Sequence, residues 1–369
     1  FMSEYAVLNR VDSKKSQGKM FIAIVMDHPT NDEVRLNKIL AGGTGDILKS
    51  MCNMASIKPE DCLLTHVFQL KPAQDNVANF FHNKLSYKKL GKENKWRSPF
   101  PPTGHGFLKQ EMEQDVRRLY KELNEVKPNV IIALGSASLW ALTGLDKIGT
   151  YRGSVMKCSD GLLEQTCKVV PTYSPSAVMR KFDFRPVVVA DLKKAKRESL
   201  TSEIKRDERS LYLEPSLQDL YDFEDKFITE NNEHEPLAFD IETQRKTNGE
   251  IKCIGFAPNK SHSIVLPFVK ENGEYYWKYG DELKAWQWVK KILENEKITK
   301  VAQNQTFDVS WLAFVKNIKV SGVIHDTMYA HHAFQPEMEK KLGFLGSLYT
   351  NEFAWKTLAK TMHSTKTGD

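Results

Sequence analysis

The stretch Phe239-Asp240-Ile241-Glu242-Thr243 decides how the second half of this chain folds. Apolar residues precede it and then alternate with the two acids, which is typical of a β-strand that ends at the rim of a sheet. Side chains two residues apart on a strand share a face, so Asp240 and Glu242 point the same way. Like charges at that distance repel unless a cation lies between them, and Mg²⁺ and Mn²⁺ prefer carboxylate oxygens. The alternative is a pair of ordinary acids at a solvated strand end.

Two further motifs follow in the second half. Residues 304–308 (NQTFD) come after a short strand and open a helix, and residues 323–328 (VIHDTM) pass from a strand into the next helix. In this order with residues 239–243, they resemble motifs of the proofreading domains of family-A DNA polymerases, which are DEDD-type 3′-to-5′ exonucleases. The resemblance implies an RNase H-like exonuclease fold for residues 211–369.

The resemblance also implies a division of roles among the residues of these motifs. Asp240, Glu242 and Asp308 would be catalytic and would bind two ions of Mg²⁺ or Mn²⁺. One ion would generate the attacking hydroxide, and the other would stabilise the leaving 3′ oxygen. Asn304 and Phe307 would help to hold the end of the DNA strand, with a packing role as the alternative.

One motif of the family has no clear counterpart in this sequence. The third motif carries a fourth aspartate, preceded by a Tyr or His that orients the attacking water, and nothing convincing matches it after residue 308. Asp326 is predicted to cap the following helix instead. We therefore expect the exonuclease domain to be truncated before its third motif, with a polymerase module further on in cis.

The first half of the chain differs in charge and in pattern. Residues 1–200 hold 31 Lys and Arg against 21 Asp and Glu (+10), whereas the remainder holds 22 against 26 (−4). A basic half favours a polyanion such as nucleic acid, although a mixed solvated surface is the alternative. Strands alternate with helices, among them a helix at 111–126 and a buried strand at 130–134, which indicates an α/β sandwich with a mainly parallel sheet. Residues 198–210 are polar and predict a linker.

Residues 1–197 resemble the family-four uracil-DNA glycosylases, which occur fused to some phage DNA polymerases. The resemblance implies a glycosylase-like α/β/α sandwich. It rests on short segments that match motifs of the group: residues 26–33 (MDHPTNDE), 40–45 (LAGGTG), 64–67 (LTHV), 71–72 (KP), 130–135 (VIIALG), 152–153 (RG) and 173–176 (YSPS).

The pocket expected from this resemblance has unusual residues. Such enzymes flip the base into a pocket, stack it on an aromatic ring and read its edge with an amide, and a histidine assists the cleavage. The corresponding positions here are Leu40, His66 and Ser174. Asp27 could still activate water, and His28 or His66 could stand in for a lost group. Three departures at chemical positions predict inefficient uracil excision.

The cysteines and the hydropathy of the sequence bear on the cellular compartment in which the protein is expected. The five cysteines are scattered without a C-x-x-C pair, which indicates reduced thiols. Glycosylases of this group usually carry an iron–sulfur cluster, but Cys52, Cys62, Cys158 and Cys167 lack the required spacing, so no cluster is expected. No apolar run approaches membrane-spanning length and no signal peptide is recognisable. We expect no membrane partner and a location in the cytoplasm of an infected bacterial host.

A basic loop in the first half is the predicted DNA contact. It includes Lys92, Lys95, Trp96 and Arg97 among several prolines, so it could track phosphates and stack a base of single-stranded or primer–template DNA. A solvated surface is the alternative. The sequence as a whole predicts a fragment of a phage DNA polymerase with a metal-dependent 3′-to-5′ proofreading exonuclease. A non-catalytic platform of the replication complex, or a standalone repair protein with an active glycosylase, are the other interpretations.

Overall fold

A computed structural model of the protein describes residues 21–353, apart from residues 94–96, 160, 162, 165, 207, 231–233, 244–249 and 271. Two compact units share the chain. The first contains the residues up to Ile204 together with those from Gly343 onward, and the second is Lys205–Leu342. The predicted architecture of two α/β domains is confirmed.

The strands of the first unit are short and mostly buried. They are β1 (Ile22–Met26), β2 (Leu63–His66), β3 (Phe81–His82), β4 (Phe107–Leu108), β5 (Val130–Leu134), β6 (Met156–Lys157) and β7 (Lys168–Thr172). The main sheet has the order β2-β1-β5-β7-β6, in which only the β6–β7 pair is antiparallel. The mainly parallel sheet expected from the sequence is therefore present.

Helices cover both faces of this sheet. They are α1 (Asn31–Leu36), α2 (Gly42–Met54), α3 (Lys84–Glu93), α4 (Glu113–Val126), α5 (Ser136–Thr143), α6 (Ile148–Tyr151), α7 (Pro175–Arg180) and α8 (Phe184–Glu198). Side chains of β1 alternate between two cores: Ala23 and Val25 pack with α4 and α5, whereas Ile22 and Ile24 pack with α2 and α8. This alternation makes the unit a three-layer α/β/α sandwich.

The second unit is built on a mixed sheet. Its strands are β8 (Ser210–Tyr212), β9 (Leu237–Thr243), β10 (Ile251–Ala257), β11 (His262–Pro267), β12 (Lys300–Ala302) and β13 (Ile324–Asp326). They have the order β13-β12-β9-β10-β11-β8, with β9, β10 and β11 antiparallel and β12 parallel to both β9 and β13. Its helices are α9 (Leu217–Phe227), α10 (Tyr279–Glu294), α11 (Gln305–Lys316) and α12 (Thr327–Phe334).

The last helix lies on a different unit from the one that the sequence suggests. Helix α13 (Leu342–Tyr349) and the residues up to 353 pack with the first unit, although the predicted exonuclease domain runs through residues 211–369. Likewise, the first unit ends at Ile204, inside the predicted linker at residues 198–210. The physical reason is that Arg152 and Lys194 bind the end of α13. Within the described ranges, no helix is long and apolar enough to cross a bilayer.

Candidate functional sites: a carboxylate cluster and a cavity

The acidic end of β9 has alternating burial. Phe239 and Ile241 are buried, whereas Asp240 and Glu242 are exposed. Because side chains alternate across a strand, the two acids lie on one face of the sheet and the apolar residues on the other. The apolar face packs into the core of the second unit. The core thus fixes which way both carboxylates point.

Asp308 lies against the backbone between these two acids. It is buried in the first turn of α11, and its Oδ1 accepts a hydrogen bond from the N–H of Ile241 at 2.9 Å. Strand β12 pairs with β9 only as far as Ala238, so the edge of β9 beyond that point is open to this side chain. The structure therefore brings Asp308 to the strand that carries Asp240 and Glu242.

The electrostatics around Asp308 are unfavourable for a bare carboxylate. Burial raises the pKa of Asp308, and the negative charges of Glu242 and Asp326 add to this increase. Hydrogen bonds from the backbone N–H groups of Ile241 and of Asp308 itself act in the opposite direction and only partly offset it. A perturbed carboxyl beside other acids is typical of a functional site.

Asp326 organises the backbone next to this cluster. Its Oδ1 accepts from the N–H of Met328 at 2.8 Å and of Tyr329 at 3.3 Å, which confirms the predicted cap of α12. The same carboxylate also accepts from Asn304 N–H at 3.2 Å and Gln305 N–H at 2.7 Å. The sequence did not indicate this second role, because it depends on β12 and β13 being neighbours in the sheet.

The other two predicted contacts lie at the start of α11. Asn304 has a left-handed backbone with φ of 59°, which asparagine tolerates better than most residues. Phe307 is 44% exposed, and its ring centroid is 6.0 Å from that of Trp311. Both side chains are accessible from solvent, and neither is needed to fill the core.

The three acids suit a hard divalent cation by chemistry, although they are not gathered around one point. In the part of the chain that the structure describes, no three Asp, Glu, His or Cys side chains lie close enough to hold a metal ion. The donor set is nevertheless appropriate, since carboxylate oxygens are preferred by Mg²⁺ and Mn²⁺. The like-charge effect of Glu242 on Asp308 is what a cation would relieve. Asp240 and Glu242 are both exposed on the same face of β9, so solvent and ions can reach them.

A cavity of about 460 Å³ opens in the first unit. It lies beyond the carboxyl ends of the parallel strands β1, β5 and β7, which is where open α/β sheets bind ligands. Four of the predicted pocket residues line it: Asp27, His28, Leu40 and Ser174. Residues that were not among the predicted pocket residues also line it, including Glu33, His105 and the exposed Arg180.

Asp27 is held firmly at this cavity. Its Oδ1 accepts from the Ser138 N–H at 2.8 Å and from the Ser138 hydroxyl at 3.0 Å. Gly135, with φ of 118°, makes room for it, since a Cβ at that position would collide with the carboxylate. Burial raises the pKa of Asp27, against the hydrogen bonds of Ser138 and the charge of His28. The glycine that follows β5 is thus required by the carboxylate, not only by the turn.

His28 and Ser174 have defined local partners. Nδ1 of His28 lies 3.0 Å from the carbonyl oxygen of Pro29, and because a carbonyl only accepts, Nδ1 carries the proton in this hydrogen bond. That assignment leaves Nε2 as the second functional atom of the ring. Ser174 caps α7, and its hydroxyl accepts from the Ala177 N–H at 3.3 Å.

His66 lies behind the cavity wall, which differs from its predicted place among the pocket residues. Its side chain is only 3% exposed, and its Nε2 is 3.4 Å from Oε2 of Glu33. Glu33 also accepts from the N–H groups of Thr30 at 2.8 Å and Leu40 at 2.7 Å. Burial alone would raise the pKa of Glu33, but His66 and these N–H groups outweigh burial, so that the pKa is lowered.

The four cysteines Cys52, Cys62, Cys158 and Cys167 are buried in two separate cores. Cys52 and Cys62 belong to the core on one face of the main sheet, whereas Cys158 and Cys167 belong to the core on the other face. Burial raises the pKa of Cys52, Cys62 and Cys167 to about 12, which disfavours the thiolate that binds metal.

The predicted DNA-binding loop is described only in part. Lys95 and Trp96, and the side chain of Lys92, lie outside the described residues. Arg97 is exposed, with its guanidinium 6.0 Å from the ring centroid of Tyr87. Tyr87 in turn stacks on Phe107 at 3.8 Å.

Comparison with known families identifies two matching regions in the chain. Residues 16–195 match the model of the uracil DNA glycosylase superfamily. Residues 219–366 match the model of a 3′-5′ exonuclease family. The chain therefore contains a region similar to uracil DNA glycosylases, followed by a region similar to 3′-5′ exonucleases.

Relatives among known proteins are distant. A DNA polymerase of Bacillus phage SP01 is 24% identical over 347 residues, which are 86% of this chain and 33% of that protein, so the chain spans about a third of its length. A type-4 uracil-DNA glycosylase of Pyrobaculum aerophilum is 24% identical over 180 residues, 47% of this chain and 76% of that enzyme. The EXO domain of Aedes aegypti Nibbler aligns with a TM-score of 0.31 and 15% identity, over 41% of this chain and 72% of that structure.

Proposed function

We propose that this chain is a metal-dependent nuclease that removes nucleotides from the 3′ ends of DNA. The proposal starts from the match of residues 219–366 to a 3′-5′ exonuclease family, after a glycosylase-like region. The setting of this nuclease is proofreading within a phage-type DNA polymerase in the cytoplasm of the infected host, with the polymerase module in cis. The 86% coverage of this chain by the phage polymerase supports that setting.

The observation that carries this proposal is the position of Asp308. Its carboxylate binds the backbone between Asp240 and Glu242, and its pKa is raised by burial and by the charge of Glu242. Structural acids are normally paired in ways that lower the pKa, so a buried acid held beside like charges indicates a ligand-binding role.

Each residue of the cluster has a defined task. Asp240, Glu242 and Asp308 would hold Mg²⁺ or Mn²⁺, which when bound supplies charge neutralisation at a phosphodiester. Asp326 keeps the first turn of α11, and hence Asp308, in place through the N–H groups of Asn304 and Gln305. Phe307, which is exposed, offers an aromatic face for the terminal base.

The test is digestion of single-stranded and primer–template DNA labelled at the 5′ end. The chain is expected to shorten both from the 3′ end with Mg²⁺ or Mn²⁺ and to stop when the metal is chelated. Asp240→Ala is expected to lower the rate by more than about a hundredfold, because loss of a metal ligand exceeds the usual effect of its supporting residues. Asp225→Asn, an exposed acid on α9, is the control and should leave the rate unchanged.

Two outcomes would contradict the nuclease proposal. One is digestion that persists equally in Asp240→Ala, and the other is absence of digestion together with absence of any Mn²⁺-induced rise in melting temperature. The second result would favour a non-catalytic platform in the replication complex.

For the first unit we propose DNA binding without efficient uracil release. Leu40 offers no aromatic ring at the cavity wall, and His66 is buried against Glu33 and cannot present an amide-like edge to a base. The hydroxyl oxygen of Ser174 accepts the capping hydrogen bond of α7, and the side chain carries no positive charge for a departing uracil anion. The buried edge of a uracil would be left partly unpaired, at about 1–3 kcal/mol for each group.

Incubation with uracil-containing single- and double-stranded DNA, scored as alkali-labile breaks, tests this part. Little or no release is expected from the parent chain. Multiple-turnover release that disappears in Asp27→Ala, and persists in Asp61→Asn as the exposed control, would overturn this part and favour a repair enzyme.

A further inference from the structure

A buried cationic slot lies on the first unit and does not line the cavity. Its members are Arg152 and Lys194, each 1% exposed. Arg152 forms a buried ion pair with Asp191, whose Oδ2 also accepts from the Thr172 hydroxyl at 2.6 Å. Lys194 is on α8 and donates to the carbonyl oxygen of Gly153 at 2.7 Å. Fully buried cations of this kind require acceptors.

The remaining acceptors come from the end of α13. Lys194 Nζ donates to the carbonyl oxygens of Ser347 at 2.5 Å and Thr350 at 2.6 Å. Arg152 Nη1 donates to the hydroxyl of Ser347 at 2.8 Å. The last carbonyls of a helix have no donors within the helix and carry the negative end of its dipole. The ammonium group of Lys194 at this point supplies the missing donors and a positive charge at the negative end of the dipole.

The backbone of the slot is shaped for the same contact. Gly153 has φ of +72°, and a Cβ there would be 2.8 Å from the carbonyl oxygen of Ser347 and 2.7 Å from Oδ1 of Asp191. The guanidinium of Arg152 also lies 5.2 Å from the ring centroid of Phe344, within cation–π range. Arg152 and Gly153 therefore both contact the end of α13.

We propose that Arg152, Gly153 and Lys194 form a docking site for the C-terminal end of a helix, and that its occupant is residues 343–353 of this chain. The glycosylase-like unit is then completed by residues that follow the exonuclease motifs in sequence. Without the segment, the buried cations Arg152 and Lys194 would lose the acceptors that Ser347 and Thr350 supply. Docking of the segment therefore stabilises the arrangement of these two side chains. This interaction surface is independent of nuclease activity and of the cavity.

Amide hydrogen exchange of the full chain tests the docking site. In Lys194→Met, exchange in residues 343–353 is expected to become at least about tenfold faster, since a buried charge-assisted hydrogen bond is lost at two carbonyls. Ser347→Ala and Phe344→Ala, on the segment side, are expected to accelerate it about threefold to tenfold. Lys193→Met, the exposed neighbour on α8, is the control and should change nothing.

A substitution of opposite sign sharpens the test. Gly346 lies within α13 with nothing within 4 Å of an added Cβ, so Gly346→Ala favours the helix without disturbing the slot. Exchange in residues 343–353 is expected to slow about threefold to fivefold in this variant.

Exchange in β5 reports whether the first unit stays folded in each variant. If Lys194→Met unfolds it, the segment-side variants decide, because they leave the slot intact. The proposal is overturned if residues 343–353 exchange as fast in the parent as an unstructured peptide. It is equally overturned if Ser347→Ala and Phe344→Ala leave the exchange of folded protein unaltered.

Discussion

Two buried carboxylates, Glu33 at the cavity and Asp308 at the β9 cluster, have opposite environments. Glu33 in the first unit is buried among donors, namely the N–H groups of Thr30 and Leu40 and the ring of His66, and its pKa is lowered. Asp308 in the second unit is buried near acids, and its pKa is raised. The carboxylate of Glu33 therefore already has hydrogen-bond donors from the protein, whereas that of Asp308 lies near like charges that a bound cation would neutralise.

This difference in pKa is the reason for which we propose a structural role for Glu33 and a ligand-binding role for Asp308. Both acids belong to segments that resemble family motifs, residues 26–33 and residues 304–308. Their surroundings differ, because hydrogen-bond donors lower the pKa of Glu33, whereas burial and neighbouring acids raise the pKa of Asp308. Proteins commonly keep acids with a raised pKa at sites where a ligand binds. The four predictions that follow test this contrast.

The largest effect is expected at Asp326, which accepts from four backbone N–H groups. Asp326→Ala should lower the free energy of unfolding of the second unit by about 3 kcal/mol, because a cap and a buried turn both lose their acceptor. Urea unfolding measures the change. Asp281→Ala, at a half-buried first-turn acid of α10, should cost about 0.5 kcal/mol or less. Equal effects of the two substitutions would mean that Asp326 has no organising role.

Glu33→Gln should lower the free energy of unfolding at pH 7 by about 2 kcal/mol, because an amide NH₂ would face a backbone donor. Since the folded pKa of Glu33 is lowered, its stabilisation is complete above the ordinary value of 4.5 and is lost as the pH falls through the folded pKa. The parent and the variant should therefore converge in acid. Denaturant melts between pH 7 and pH 3 measure this, with the exposed Glu60→Gln as control. A constant difference across that range would exclude a role for the charge.

Asp308→Asn, the same chemical change, should have the opposite sign. The amide oxygen can still accept from Ile241 N–H, while the buried charge disappears, so the metal-free chain should gain about 1 kcal/mol of stability. The folded pKa is raised, so the gain should grow as the pH rises from 3.8 through the folded pKa. Thermal melts should also show that the variant has lost the parent's stabilisation by Mn²⁺. A destabilised variant that keeps the Mn²⁺ response would place Asp308 with the structural acids.

The smallest effect is expected at the basic loop of the first unit. Changing Lys92, Lys95 and Arg97 together to Gln should weaken binding of single-stranded DNA severalfold at physiological salt. The slope of log affinity against log salt should decrease by about 2, because roughly 0.7 counterions are released per phosphate contact. Fluorescence anisotropy over a salt series measures both quantities. A matched triple change of Lys284, Lys290 and Lys291 on α10 should leave the slope as it is. An unchanged slope in the loop variant would identify the loop as ordinary solvated surface.

Much of the fold was predictable because its signals are local. The apolar run at Val130–Leu134 predicted the strand β5 within its bounds, and the alternation around Asp240 predicted a shared face with Glu242. The cap formed by Asp326 needs only a strand end before a helix. The predicted helix at 111–126 begins slightly later, at Glu113, because Gln110–Met112 forms a separate 3₁₀ turn.

The sequence by itself determined the two α/β units, the face on which the acids of β9 lie and the cap at Asp326. These features depend on side-chain periodicity and on hydrogen bonds between near neighbours in the chain. Only the tertiary structure decided that Ser138 binds Asp27, that the carboxylate of Glu33 lies against the ring of His66, and that the end of α13 binds Lys194. Those partners are far apart in sequence. They meet because packing of the apolar faces of strands and helices buries these polar groups next to one another, and a buried polar group must form its hydrogen bonds within the protein.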